Sequence, residues 1–329
     1  MLSRRELCER VLYGACTVGL TTRRIRGAAL EFQVDRLLSE NPVQSFSPRT
    51  RTYRADAVVT ILGLPIFSRL GVGSAFVEIR EALDGERRLI ALDFAGGSNP
   101  ERTHGLEYSG STEEVVMERS SAPLQAASFG FVTRTRTESY EDARQHLVAK
   151  TLTSKAYTAL EGRHNPGCAR YDRAYLILPT QGRRDIEELV QQVRSQFSTA
   201  ERITNELCVS SSCAPATFMY SVLGAIRSDK TRSAYTYVHN AREYRLEWER
   251  TPDIRAGRVL TAKGLTDHPE SVTRLIAHIR ERSADHVSTF QLWLDDTSEL
   301  PLRIEFQPRS YLRITLEWPG SSLNDKERT

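Results

Sequence analysis

Histidine and cysteine four residues apart, in His164-Asn165-Pro166-Gly167-Cys168, are the side chains of this chain that come nearest to a metal-ligand pair. Zinc needs three or four His, Cys or carboxylate ligands, usually from two such pairs. No second pair accompanies this one, so the sequence predicts a proline-glycine turn and no metal site. Asp295-Asp296 is a carboxylate pair, but carboxylates adjacent in sequence rarely converge on one substrate. Asp-Asp-Thr-Ser is favourable turn chemistry, and a turn is what it predicts. Gly71-Val72-Gly73 has two glycines of a dinucleotide loop and lacks the third. Val77-Glu78-Ile79-Arg80 then reads as strand where that loop requires a helix. A glycine at a bulge or close strand crossing is expected instead. Cys208 and Cys213 flank Val-Ser-Ser-Ser; a bridge closes that loop if the chain is exported, and otherwise these are ordinary thiols. There is no Gly-x-Ser-x-Gly elbow, phosphate-binding loop or His-Glu-x-x-His. The sequence assigns no catalytic residue, no metal and no cofactor. An enzyme with a site assembled in space stays open as one of three functional classes.

The elements that would position any site are mainly strands. Over 290–318, Phe290, Leu292 and Leu294 alternate with Gln291, Trp293 and Asp295. Leu302, Ile304 and Phe306 then alternate with Arg303, Glu305 and Gln307, and Leu312, Ile314, Leu316 and Trp318 with Arg313, Thr315 and Glu317. A two-residue period puts each apolar set on one sheet face, so this is an antiparallel meander with a dry side. Similar alternation marks strands within 51–80, at 90–94, 113–118, 129–136 and 171–178. Tyr235, Tyr237 and His239 alternate, as do Tyr244, Leu246 and Trp248, with Asn240-Ala241 as the hairpin turn between them. Strands are also expected at 259–264 and 272–279, with helix open for the latter. Ile186, Leu189, Val190, Val193 and Phe197 follow helical spacing over 185–197. A short helix is expected at 139–147, a loop over 199–216, and either helix or buried strand at 217–226.

The 329 residues are 40% hydrophobic and 26% charged, enough for a large core, and the net charge of +3 is a scattered surplus rather than a basic face. That excludes the usual footprint of a nucleic-acid binder. No apolar run reaches the roughly 18 to 20 residues of a membrane span. Ser3-Arg4-Arg5-Glu6-Leu7, a modestly apolar run at 11–20 and Gly27-Ala28-Ala29 form a twin-arginine-like export leader over 1–30. The alternative is an amphipathic leader of a cytoplasmic protein, since Arg23, Arg24 and Arg26 follow the run. Beyond Cys8 and Cys16 of the leader only three cysteines remain, so at least one is unpaired within a monomer.

Two segments look familiar. Tyr53-Arg54-Ala55-Asp56 with Gly63-Leu64-Pro65-Ile66-Phe67-Ser68 resembles the opening of a bacterial envelope family of unknown function. Phe290-Gln291-Leu292-Trp293-Leu294-Asp295-Asp296 with Leu300-Pro301-Leu302-Arg303-Ile304-Glu305 resembles its closing hairpin. Members of that family share the half-barrel of the periplasmic lipoprotein carriers. The resemblance implies a curved antiparallel sheet, partly covered by helices, with a concave apolar face and no catalytic residues to carry over. The expected fold is mainly β (α+β), a curved antiparallel sheet or half-barrel with a few covering helices. Its domain runs over 31–320 with a helical insertion near 183–200, followed by a polar tail at 321–329. The expected protein is periplasmic or secreted, with no nucleic-acid partner. It either binds a lipid or other apolar molecule or is a structural protein of the envelope with a filled core. Tyr244, Leu246, Trp248, Phe290, Leu292 and Leu294 are the expected lining residues.

Overall fold

The computed structural model describes residues 44–45, 48–61, 64–99, 102–103, 108–133, 154–179, 186–284, 287–309 and 311–320. The expected leader, the short helix at 139–147 and the tail at 321–329 lie outside them.

The chain opens with β1 (Gln44–Ser45), β2 (Arg49–Ile61), β3 (Leu64–Asp84), β4 (Arg87–Ser98), β5 (Ser109–Arg119), β6 (Ala122–Thr133), β7 (Ser154–Asn165) and β8 (Cys168–Pro179). Helix α1 (Ile186–Thr199), strand β9 (Ile203–Cys208) and helix α2 (Phe218–Arg227) follow. Then come β10 (Arg232–His239), β11 (Arg242–Pro252), α3 (Ile254–Ala262), a 3₁₀ turn (Pro269–Ser271), β12 (Thr273–Glu281), β13 (Val287–Asp295), β14 (Ser298–Arg309) and β15 (Leu312–Glu317). All the strands join one antiparallel sheet in the order β10-β11-β12-β13-β14-β15-β2-β3-β4-β5-β6-β7-β8-β9, with β1 on β3. The class is mainly antiparallel β, as the alternation predicts. The two halves of the chain meet where β15 pairs with β2, Ile314 opposite Ala57.

Tight turns set the registers. Asn240 and Ala241 both have positive φ, as do Ser120 and Ser121, which is the twist that two-residue hairpins demand. Gly71 has φ +62° and its amide donates to Asp56 Oδ1 at a bulge between Ala55 and Ala57. A Cβ on Gly73 would stand 2.3 Å from the Gly97 carbonyl oxygen. These glycines serve a bulge and a close strand approach.

The sheet curls until its ends approach. No ladder among the described residues joins β9 to β10, but residues 209–217 bridge the gap. Val238 N donates to Ala216 O, Ala214 N to Pro123 O, and the Tyr171 hydroxyl to Val238 O. Leu160, Ala169, Tyr171 and Val238 pack together across this seam. The curl gives the sheet an inside and an outside. On β4, Ile90 and Leu92 face inward toward Leu223 of α2, whereas Leu89, Ala91 and Ala95 face outward into the cluster beneath α1. The α1 stripe Ile186, Leu189, Val190, Val193 and Phe197 is its buried face, each side chain contributing about 1.5–3 kcal/mol over exposure.

Three expectations fail. The strand at 259–264 is helix: Asp253 accepts from Ala256 N at 2.9 Å and starts α3, which buries Leu260 on the outer face. The loop at 199–216 contains β9, a strand whose apolar residues are sparse because it is an edge. Trp293 does share its face with Gln291, yet it is buried. Leu260, Leu265, Val272 and Leu302 surround it, and its indole N–H donates to Asp253. Leu302 therefore leaves the face of Phe306, across an irregularity in the β13–β14 register between Trp293 and Asp295.

Candidate functional site

Helix α2 occupies the inside of the curled sheet, touching β5, β10, β11 and β14. Its sequence, Phe-Met-Tyr-Ser-Val-Leu-Gly-Ala-Ile-Arg, is largely apolar, which suits a helix laid against the inside of a sheet. Its packing is incomplete on one side. A cavity of about 150 Å³ lies between Phe218, Met219, Val222, Leu223 and Ile226 of α2 and two walls of the sheet. One wall is Val77, Ile79, Leu92 and Phe94; the other is Phe290, Leu292, Ile304, Phe306 and Leu316. Val77, Phe94, Met219, Val222 and Ile304 are only half-buried, so the space is not sealed. Among the described residues, Glu299 is the one charged residue on the lining.

Of the six side chains expected to line a site, Phe290 and Leu292 border this cavity. Tyr244, Leu246, Trp248 and Leu294 lie on the same inner face and in the same core cluster, but away from the open space. Tyr244 stacks on Tyr237 with ring centroids 5.2 Å apart, and Leu246 is fully buried. The sequence missed the α2 residues and the β3–β4 wall. Its one signal was the apolar run at 217–226, whose period does not tell helix from buried strand.

Charged groups clamp α2 at both ends. Glu114 of β5 caps the N-terminus from another element: it accepts from Met219 N and Tyr220 N, both at 3.1 Å, and from the Thr217 hydroxyl. Burial raises the Glu114 pKa, and the hydrogen bonds from Thr217 and the α2 amides lower it without cancelling the rise. At the other end Arg227 pairs with Glu81 and Glu299, and Arg250 donates to the carbonyls of Ala225 and Ile226. Arg49 and Arg88 also pair with Glu81, whose side chain is 4% exposed. Burial raises the Glu81 pKa, and Arg227 and Arg88 more than reverse it. The Tyr220 hydroxyl donates to Glu118.

His164 is a seam residue. Its Nδ1 is 2.8 Å from the Pro215 carbonyl and its Nε2 2.7 Å from the Tyr171 hydroxyl. A carbonyl only accepts, so Nδ1 carries the proton, and the single Tyr171 proton is divided between Nε2 and Val238 O. Burial pushes the His164 pKa down to about 4, against the pull of the Pro215 carbonyl. Cys168, the other half of the sequence pair, faces Cys208 instead. No group of His, Cys, Asp and Glu among the described residues is arranged to hold a metal ion. Asp295 accepts from the backbone and side chain of Thr297, the expected turn. A second void of about 10 Å³, the size of one water, touches Glu114, Thr217, Tyr171 and His239.

No helix among the described residues is long and apolar enough to cross a membrane. No family model and no curated protein matches the chain. Among solved structures it is similar to a β-barrel-like protein of a domain of unknown function, DUF1849, from Brucella abortus. That chain is 7% identical with a TM-score of 0.41, over 85% of this chain and 98% of that one. The fold is established by the strand pairing of this chain itself.

Proposed function

We propose that this is an exported binding protein that takes up a small apolar molecule, or the end of an acyl chain, beside α2. The observation that supports it is the unsealed apolar cavity. A void of about 150 Å³ lined by Leu, Ile and Phe is enough for a benzene-sized guest. Six buried methylenes contribute about 5 kcal/mol. Association alone opposes this by at least about 4 kcal/mol. The cavity as it stands therefore leaves a short guest only about 1 kcal/mol, a Kd on the order of 0.1 M. Tighter binding of a long chain requires α2 to move outward or the guest to emerge past Glu299.

Titration with fluorescent fatty acids of increasing length tests this. Val222→Phe, which fills the cavity from α2, is expected to abolish binding while the fold is retained. Trp248→Ala is expected to lower stability and leave the affinity of the folded protein unchanged. No gain in affinity with chain length, or equal binding by Val222→Phe, favours the alternative of a structural envelope protein with a filled core. That reading has its own support: four of the six expected lining residues are ordinary packed core. Export is part of the proposal and is checked separately, by fractionating a bacterial host and weighing the mature N-terminus. Intact Met1 in the cytosol overturns it.

A further inference from the structure

The β8–β9 register sets Cys168 directly opposite Cys208. Opposed residues on antiparallel strands have Cα atoms about 4.5 or 5.5 Å apart, and both spacings lie within the range a disulfide spans. The two sulfur atoms are 2.7 Å apart, well inside the contact distance of unbonded sulfurs. Cys208 is exposed and Cys168 half-buried, so an oxidant can reach the pair. The hydrogen bond between the two thiols pushes the Cys168 pKa up to about 11, and Cys208, the more exposed of the two, meets an oxidant first. The third thiol, Cys213, is held nearby by backbone bonds: Gly167 N donates to Cys213 O, and Val209 N to Gly167 O.

We propose that Cys168 and Cys208 form a disulfide that fastens β9, the end strand of the sheet, to β8. The Cys208 thiolate attacks one sulfur of a small disulfide such as oxidised glutathione and expels one glutathione thiolate. The Cys168 thiolate then attacks the Cys208 sulfur of the mixed disulfide and expels the second. The two cysteines give up two electrons and two protons, and one oxidised glutathione becomes two reduced ones. Among the described residues β9 pairs with β8 alone, so a covalent tie holds a short ladder at the end of the sheet. It also anchors the chain just before residues 209–217, which bridge the seam and lead into α2. The bond closes a loop of 40 residues that contains α1.

The full chain is equilibrated in glutathione buffers from reducing to oxidising, alkylated and digested with trypsin. Cys168 falls on peptide 164–170; Cys208 and Cys213 share peptide 203–227. The expected product is these two peptides cross-linked, two hydrogens lighter than their sum. It forms in the wild type and in Cys213→Ser and is missing from Cys208→Ser. Reduction is expected to lower Tm by about 5 °C in the wild type and in Cys213→Ser, with no shift in Cys208→Ser. Three results overturn the proposal. One is peptide 164–170 fully alkylated from folded protein in oxidised glutathione. Another is an internal bridge confined to peptide 203–227. The third is a cross-link that survives Cys208→Ser.

Discussion

His164 shows how a residue type that suggests chemistry becomes a structural part. Its two ring nitrogens reach the segment before α2 and strand β8, and through Tyr171 the carbonyl of β10. A second N–H proton on the ring would complete that row of hydrogen bonds, but burial opposes the charge and prevails. The unfolded chain takes up this proton near pH 6.5 and the folded chain near 4, so the unfolded state binds more protons between those values. The stability from a neutral His164 is thus fully present above pH 6.5 and is lost as pH falls to about 4. It amounts to at most about 3 kcal/mol. His164→Gln keeps a donor for Pro215 and an acceptor for Tyr171 but does not titrate. The difference in unfolding free energy between wild type and variant is expected to shrink between pH 6.5 and 4. Denaturant titrations that give a constant difference across that window would show that the folded ring is not held neutral.

At the scale of elements, the legible helix was the one with a clean apolar stripe. α1 announces itself through Ile186, Leu189, Val190, Val193 and Phe197, because one buried face imposes one period. α3 does not, because two of its own residues mislead: Val259 looks strand-like but is 47% exposed, and Gly257 is buried. Gly257 tests which force decides there. Helix propensity alone favours alanine at this position by about 1 kcal/mol. A Cβ would, however, meet the Pro269 carbonyl oxygen at 2.0 Å, where the 3₁₀ turn crosses the helix. Backbone cannot step aside as a flexible side chain can, so Gly257→Ala is expected to destabilise by about 1–3 kcal/mol net. A higher denaturation midpoint for the variant would mean that the α3 contact is looser than described. α2 was ambiguous for a different reason: a mostly apolar run of only ten residues reads equally as a helix or a buried strand.

For the molecule as a whole, the question is how an open sheet keeps its curl. The answer lies at the seam, where side chains and one bridging segment replace a ladder. Tyr171 is its centre, 1% exposed, bonded to Val238 O and to His164. Tyr171→Phe leaves that carbonyl without its donor at a cost of about 1–3 kcal/mol. The loss is local, so amide exchange is expected to speed up in β10 and in β7 beside His164. The ladder between β3 and β4, far along the sheet, keeps its relative protection. Uniform acceleration along the whole sheet would mean that the seam does not open as a separate unit. The cavity belongs to the same scale, since its walls come from β3–β4 and from β13–β15, and only the curl brings them to face α2.

By itself the sequence determined the strand alternation, the Asn240-Ala241 turn, the bulge glycines and the stripe of α1. These follow from local geometry: a period of two or 3.6, or a backbone angle only certain residues accept. It also marked Phe290 and Leu292 as inward-facing, but no differently from Tyr244, Leu246, Trp248 and Leu294. Alternation tells which side a residue faces and says nothing about what fills that side. Only the tertiary structure decided that α2 enters the curl and leaves space beside Phe290 but none beside Leu246. The same holds for Glu114, which caps a helix about a hundred residues away, and for Cys208, which meets Cys168 rather than Cys213. Each of these pairings joins segments far apart in the chain, and their meeting depends on the order and curl of the sheet, which no local pattern encodes.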